Sequence, residues 1–223
     1  MEFSNFLKIL KKHKFTIVLI PAISVIITFF LVRNQPNLYT SQAKISTGIV
    51  DHTKKDLTDL INPQESEINQ DFSNLMEMMK SKKSLDQVSY KLILHDLTNK
   101  QPYRKPSPLF ETLNANARQH AIQVYTDLYN KRQALSLFDP DQQGLYKLMT
   151  SMHYDDQSIL KTLLIYRIQN SDYIEIQFDS DNADLSAVVV NAVCAEFINY
   201  YSEQIKENQT KSIDFWKDLP HCG

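Results

Sequence analysis

The sequence contains few glycines, which occur only at Gly48, Gly144 and Gly223 among 223 residues. This low usage argues against glycine-rich phosphate loops and tight glycine hairpins, and it favours helices. A net charge of −2 supplies no basic field for nucleic acid. Two cysteines are too few for a disulfide framework. We predict Cys194 to be a small buried thiol, and a disulfide with Cys222 is the less favoured alternative.

Recognised motifs of catalysis and metal binding are also missing. The six histidines are scattered without HExxH spacing, and no Walker, GxSxG or paired-glycine motif occurs. The acidic run Asp179–Asp184 invites comparison with a calcium loop, but it lacks the required glycine and glutamate. Capping of the following helix by Asp181 or Asn182 is the favoured interpretation. The sequence therefore predicts no catalytic residue, no cofactor and no metal ion.

What the chain does have is one long apolar run, Phe15–Val32, of 18 uncharged residues. This length predicts a transmembrane helix at 15–32, and the following Arg33–Pro36 does not look like a signal-peptide cleavage site. Lysines are concentrated before the run, which places the N-terminus in the cytoplasm and exports the remainder. Residues 1–14 are predicted to be a cytoplasmic amphipathic segment on the membrane surface.

Periodicity in the exported part predicts an α+β domain that is mostly helical. The predicted strands are Leu38–Val50, Leu163–Ile168 and Tyr173–Phe178, with the last two neighbouring and antiparallel. The predicted helices are Glu67–Leu97 with a cap at Ser84, Leu109–Phe138, Gln142–Met152, and a long C-terminal helix from Ala183. We expect a small mixed sheet within an extracytoplasmic domain at 33–216. Residues 100–155 are expected to form an outer helical insertion, and 217–223 a frayed or truncated tail.

Three segments in this order resemble the Wzz-type chain-length determinants, which are polysaccharide co-polymerases. The first is the basic N-terminus and apolar run followed by the strand Tyr39–Ile45. The second is the helical stretch Leu75–Leu85 with its Lys-Ser pattern. The third is the strand Tyr173–Phe178, then Asp179–Ala187 and the helix beyond it, with Asn182 where the family usually has proline. The resemblance covers about residues 5–98 and 160–216.

This resemblance implies a non-catalytic scaffold in the bacterial inner membrane, with its main domain in the periplasm. Such proteins form rings and set the length of O-antigen, capsule or exopolysaccharide chains. The implied partners are further copies of the chain, a polysaccharide polymerase, an outer-membrane export protein and the lipid bilayer, but no nucleic acid. Family members return to the membrane through a second helix, whereas this sequence stops at Pro220–Gly223, so we expect a truncated chain.

The residues expected to matter serve assembly. Leu185, Val189, Val193 and Phe197 are expected to hold the long helix on the sheet, and Tyr201, Ile205 and Phe215 to contact a neighbouring subunit. Two other classes of function stay open on the sequence. One is the extracytoplasmic sensing domain of a single-anchor signalling receptor. The other is a membrane-tethered enzyme such as a glycan hydrolase, which would need two carboxylates in a cleft.

Overall fold

The computed structural model describes residues 14–33, 37–49 and 65–217, with some helical side chains, including that of Phe215, left out. The chain divides into two units, Met1–Asn37 and Leu38–Gly223. The predicted amphipathic segment 1–14 and the tail 217–223 lie almost wholly outside the described residues.

The first unit contains helix α1, Lys14–Arg33. The apolar side chains described for this helix are exposed, with Phe30 at 62% and Leu31 at 67%. Within the described ranges, no helix combines the length and the hydropathy needed to cross a membrane. The predicted transmembrane helix is therefore not confirmed.

The second unit is built on a three-stranded sheet of β1 (Tyr39–Ser46), β2 (Leu163–Arg167) and β3 (Tyr173–Ser180). Its strand order is β1-β3-β2, and β3 pairs antiparallel with both neighbours. The prediction of a mixed sheet was wrong, because the central strand runs opposite to each edge strand. Ala43, Ile176 and Ile165 form one row across the face that packs against the core.

The β2–β3 hairpin turns without glycine, and its predicted antiparallel pairing is confirmed. Asn170 adopts a left-handed conformation with φ of 54°, which asparagine tolerates better than most residues. The carboxylate of Asp172 then accepts hydrogen bonds from the hydroxyls of Ser46 and Thr47 and from the N–H of Gly48. These bonds fix the end of β1 to the hairpin.

Two helices, α2 (Glu65–Lys80) and α3 (Lys82–Thr98), follow the first strand. The break between them is close to the predicted one, but the predicted cap at Ser84 was wrong. Ser81 caps α3, because its backbone is extended and its hydroxyl accepts the N–H of Ser84 at 3.3 Å.

The middle of the chain does not form the single predicted helix Leu109–Phe138. It forms α4 (Pro108–Glu111) and α5 (Ala115–Lys131), with Arg132 left-handed at φ 52° where α5 ends. Tertiary contacts hold the following segment out of a helix, because the hydroxyl of Tyr90 donates to the carbonyl of Gln133 and accepts the N–H of Leu135. Helices α6 (Pro140–Ser151) and α7 (Asp156–Leu160) come next.

One hydrophobic core joins the sheet, α3, α5 and the last helix, α8 (Ala183–Lys217). Segment 100–155 contributes to that same core through Phe110, Tyr125, Leu145 and Met149. The hydroxyl of Tyr125 is also buried and donates to the carbonyl of Leu145 at 2.6 Å. The middle segment therefore shares its packing with the sheet domain, and its placement as an outer insertion stays a prediction.

Candidate functional site

Helix α8 begins at a side-chain cap supplied by Asn182. Its Oδ1 accepts the N–H groups of Asp184 and Leu185 at 2.8 and 3.1 Å. Two carboxylates of the acidic run compared with a calcium loop have partners in the fold, since Asp179 accepts the hydroxyl of Thr40 at 2.6 Å and Asp181 that of Ser180 at 3.3 Å. Among the described residues, no group of three or more His, Cys, Asp or Glu side chains is placed to hold a metal ion.

The first part of α8 is embedded in the core. Leu185, Val189 and Val193 are fully buried, and Phe197 is 4% exposed. These four residues lie at four-residue steps along one face of the helix and pack against the sheet and α3. Cys194, beside them, is half-buried rather than buried as predicted, and burial raises the pKa of its thiol. Cys222 lies outside the described residues.

Past the core, α8 exposes an apolar seam made of Ile198, Tyr201 and Ile205. Tyr201 is half-buried and stacks on Phe197 with ring centroids 5.6 Å apart. Ile198 and Ile205 are 53% and 41% exposed. The spacings of three and four residues match the a and d positions of a coiled coil. Sequence analysis missed Ile198, although its heptad spacing to Ile205 was a usable signal.

A buried charge fixes α8 to the end of α5. Glu196 is 1% exposed, and its carboxylate accepts a hydrogen bond from Arg132 at 2.9 Å and from the hydroxyl of Tyr129 at 3.3 Å. Burial, followed by the Glu196 carboxylate, raises the pKa of Tyr129. Since a buried carboxylate is costly without partners, this pair holds α8 against the end of α5.

A second buried carboxylate, Asp96, organises the end of α3. It accepts the hydroxyl of Tyr154 at 2.6 Å and the N–H of Tyr103 at 2.9 Å, and His95 Nδ1 lies 3.1 Å away. Burial and the Asp96 carboxylate raise the pKa of Tyr154 far above its usual value. The guanidinium of Arg118 donates to the carbonyls of Asp96 and Leu97 and closes the C-terminal end of the helix.

Beside Asp96 lies a polar groove, which sequence analysis did not find. It has a volume of about 530 Å³ and lies where the end of α3, the loop before α4 and the start of α8 meet. Its lining residues are His95, Asn99, Lys100, Gln101, Pro102, Tyr103, Asn182 and Asp184. These residues come from segments about eighty positions apart, so no local spacing in a single sequence could have indicated them.

Comparison with known families accounts for the N-terminal part of the chain. Residues 1–92 match the family model described as Wzz, chain length determinant protein. The predicted resemblance to the Wzz family is confirmed. The Wzz match covers the apolar run, β1, α2 and the first part of α3, and it ends before Asp96 and the groove. Comparisons with curated proteins and with solved structures give no significant match.

The structure brings together only some of the residues predicted to serve assembly. Leu185, Val189, Val193 and Phe197 share the core, whereas Tyr201 and Ile205 lie on the exposed continuation of the same helix. The side chain of Phe215 lies outside the described part of the chain. A role of any of these residues in contacts between subunits stays a prediction.

Proposed function

We propose that this protein regulates the chain length of a bacterial cell-surface polysaccharide, as a non-catalytic homo-oligomeric scaffold in the inner membrane. The Wzz match over residues 1–92 is the observation that carries the proposal. The polysaccharide would be O-antigen, capsule or exopolysaccharide. By the same resemblance, a polysaccharide polymerase and an outer-membrane export protein are its functional partners.

The first step of the proposed mechanism is anchoring. The uncharged run Phe15–Val32 supplies the apolar length of a membrane helix, and exposed apolar side chains on α1 support this role. Lysines before the run favour a cytoplasmic N-terminus and a periplasmic main domain. Anchoring would hold all copies of the chain in one plane, which limits the ways in which they can associate.

The second step is association through α8. Exposed Ile198 and Ile205, with half-buried Tyr201 between them, form an apolar seam that a neighbouring copy could cover. Phe215 is proposed as a further contact with that copy. The buried Glu196–Arg132 pair supports this step, because it fixes the helix from which the seam projects. In this arrangement the scaffold positions growing chains and performs no bond chemistry of its own.

The decisive experiment is a clean deletion followed by gel analysis of the surface polysaccharide. We expect the modal chain length to change and to be restored by the full gene. An unchanged length ladder in the deletion strain would refute the proposal and return attention to the sensing-domain alternative.

Oligomerisation has a separate test in the mass of the detergent-extracted full chain. We expect a closed oligomer for the wild type and smaller species for Ile198→Asp or Ile205→Asp, because each variant places a charge in the seam. Phe138→Asp is the matched control, since Phe138 is 99% exposed in the loop between α5 and α6. A monomeric wild type, or seam variants with unchanged mass, would refute this association.

A further inference from the structure

The polar groove beside Asp96 has the dimensions of a ligand site. Its volume of about 530 Å³ lies within the range of roughly 300–1,000 Å³ found for small-molecule pockets. Polar atoms dominate its lining, and its two rings, His95 and Tyr103, stack with centroids 3.8 Å apart. The groove therefore combines an aromatic wall with several hydrogen-bonding side chains.

The wall is fixed before any ligand arrives. The N–H of Tyr103 donates to the buried carboxylate of Asp96, and Nδ2 of Asn182 donates to the carbonyl of Tyr103 at 2.9 Å. The same Asn182 caps α8 through its Oδ1. Since loop, cap and helix end hold one another, little entropy is lost in ordering the wall when a ligand binds.

Other side chains of the groove are exposed and available. Asn99, Lys100, Gln101 and Asp184 are exposed, and their side-chain polar atoms make no hydrogen bond or ion pair within the described residues. Amide groups both donate and accept hydrogen bonds, as hydroxyl groups do. One lysine and one aspartate leave the exposed rim with no net charge when both are ionised.

These features favour a neutral, polyhydroxylated ligand over an anion. Phosphate recognition relies on positive charge and on free helix N–H groups, whereas here Asn182 occupies the start of α8. Burial raises the pKa of Tyr103, and the nearby carboxylates of Asp96 and Asp184 raise it further. The field around this ring is therefore negative. An anionic group would lie close to the Asp184 carboxylate, which lines the groove.

We propose that this groove binds a neutral oligosaccharide segment of the polysaccharide whose length the protein regulates. The aromatic pair would contact the apolar face of a sugar ring, while Lys100, Gln101 and Asn99 bind its hydroxyl groups. This inference rests on the proposed function for the identity of the ligand. The geometry of the groove is independent of that function.

The test is calorimetric titration of the detergent-solubilised full chain with short oligosaccharides from partial hydrolysis of the host strain's surface polysaccharide. We expect Lys100→Ala/Gln101→Ala to weaken binding about tenfold or more, since two hydrogen-bonding side chains are lost. The matched control is Gln157→Ala/Lys161→Ala, which removes the same residue types from exposed positions around α7. Complex mass and melting temperature should not change in either variant.

The outcomes separate this inference from the proposed function. The groove is supported if the wild type and the control variant bind the oligosaccharide and Lys100→Ala/Gln101→Ala does not. Equal binding by both variants, or no binding by the wild type, overturns the groove. A length ladder that responds to gene deletion would still uphold the proposed function in that case. If the groove binds the oligosaccharide but gene deletion leaves the polysaccharide length ladder unchanged, the saccharide site stands and length regulation is refuted.

Discussion

Replacing Asp96 by alanine removes an acceptor shared by two donors in the second unit. Asp96 is 1% exposed, and Tyr154, whose hydroxyl it accepts at 2.6 Å, is fully buried. The N–H of Tyr103 is the second donor, at 2.9 Å. Alanine at this position leaves the Tyr154 hydroxyl buried without a partner and frees the loop that forms the groove wall.

The cost follows from the number and kind of bonds lost. A hydrogen bond to a charged group contributes about 1.5–3 kcal/mol, and two such bonds are lost, one of them from a donor that is only partly buried. We therefore expect Asp96→Ala to lower the free energy of unfolding by about 3–5 kcal/mol. For a domain of this size that corresponds to a fall in melting temperature of roughly 6–20 °C. Tyr154→Phe, which deletes one of the bonds, should cost about 1–3 kcal/mol.

Thermal and urea unfolding of the full chain, followed by circular dichroism, measures these differences. Asp127→Ala is the matched control, because the Asp127 side chain is 67% exposed and pairs with Lys131 on the surface of α5. It should change stability by less than about 0.5 kcal/mol. If Asp96→Ala were no more damaging than Asp127→Ala, the argument that the Asp96 network stabilises this region would be refuted.

Two further predictions concern the core and the pH dependence. Phe197→Ala should lower the free energy of unfolding in urea by about 3–5 kcal/mol, because it opens a cavity under α8. The control Leu137→Ala, at an exposed position, should lower it by less than about 0.5 kcal/mol. Equal losses in the two variants would contradict the assigned packing. Burial raises the pKa of Asp86 despite its 2.8 Å contact with Lys82. Folding therefore favours protonated Asp86, so this group's contribution to stability should fall as pH rises from about 4 through the raised pKa. Asp86→Asn should reduce this fall in the free energy of unfolding with rising pH. Parallel plots of unfolding free energy against pH for the variant and the wild type would contradict this prediction.

Much of the secondary structure was predictable because it follows from local patterns. The alternation in Tyr173–Phe178 indicated β3, and the three- and four-residue spacing after Ala183 indicated α8. Asn182, which caps α8, was one of the two residues, with Asp181, that the chemistry of helix starts had indicated. The family resemblance was also visible in the sequence, because its motifs lie along the chain in order.

Only tertiary structure decided the remaining features. The helical spacing of Leu109–Phe138 is genuine, yet Tyr90 binds the backbone at Gln133 and Leu135 and holds that end out of a helix. The sheet is antiparallel throughout because β3 lies between β1 and β2 and runs opposite to both, a pairing that alternation within one strand cannot specify. Asp96, one of two aspartates in α3, carried no local signal of its role.

The sequence by itself determined where the chain is apolar, where it turns and which family its first part resembles. These properties depend on neighbouring residues, so short-range physical rules are enough to infer them. Tertiary structure alone decided the groove, since Tyr103 and Asn182 meet only after the chain between them has folded into the core. It also decided that α8 packs Phe197 into the core but leaves Ile198 and Ile205 exposed, because burial depends on what lies opposite each side of the helix.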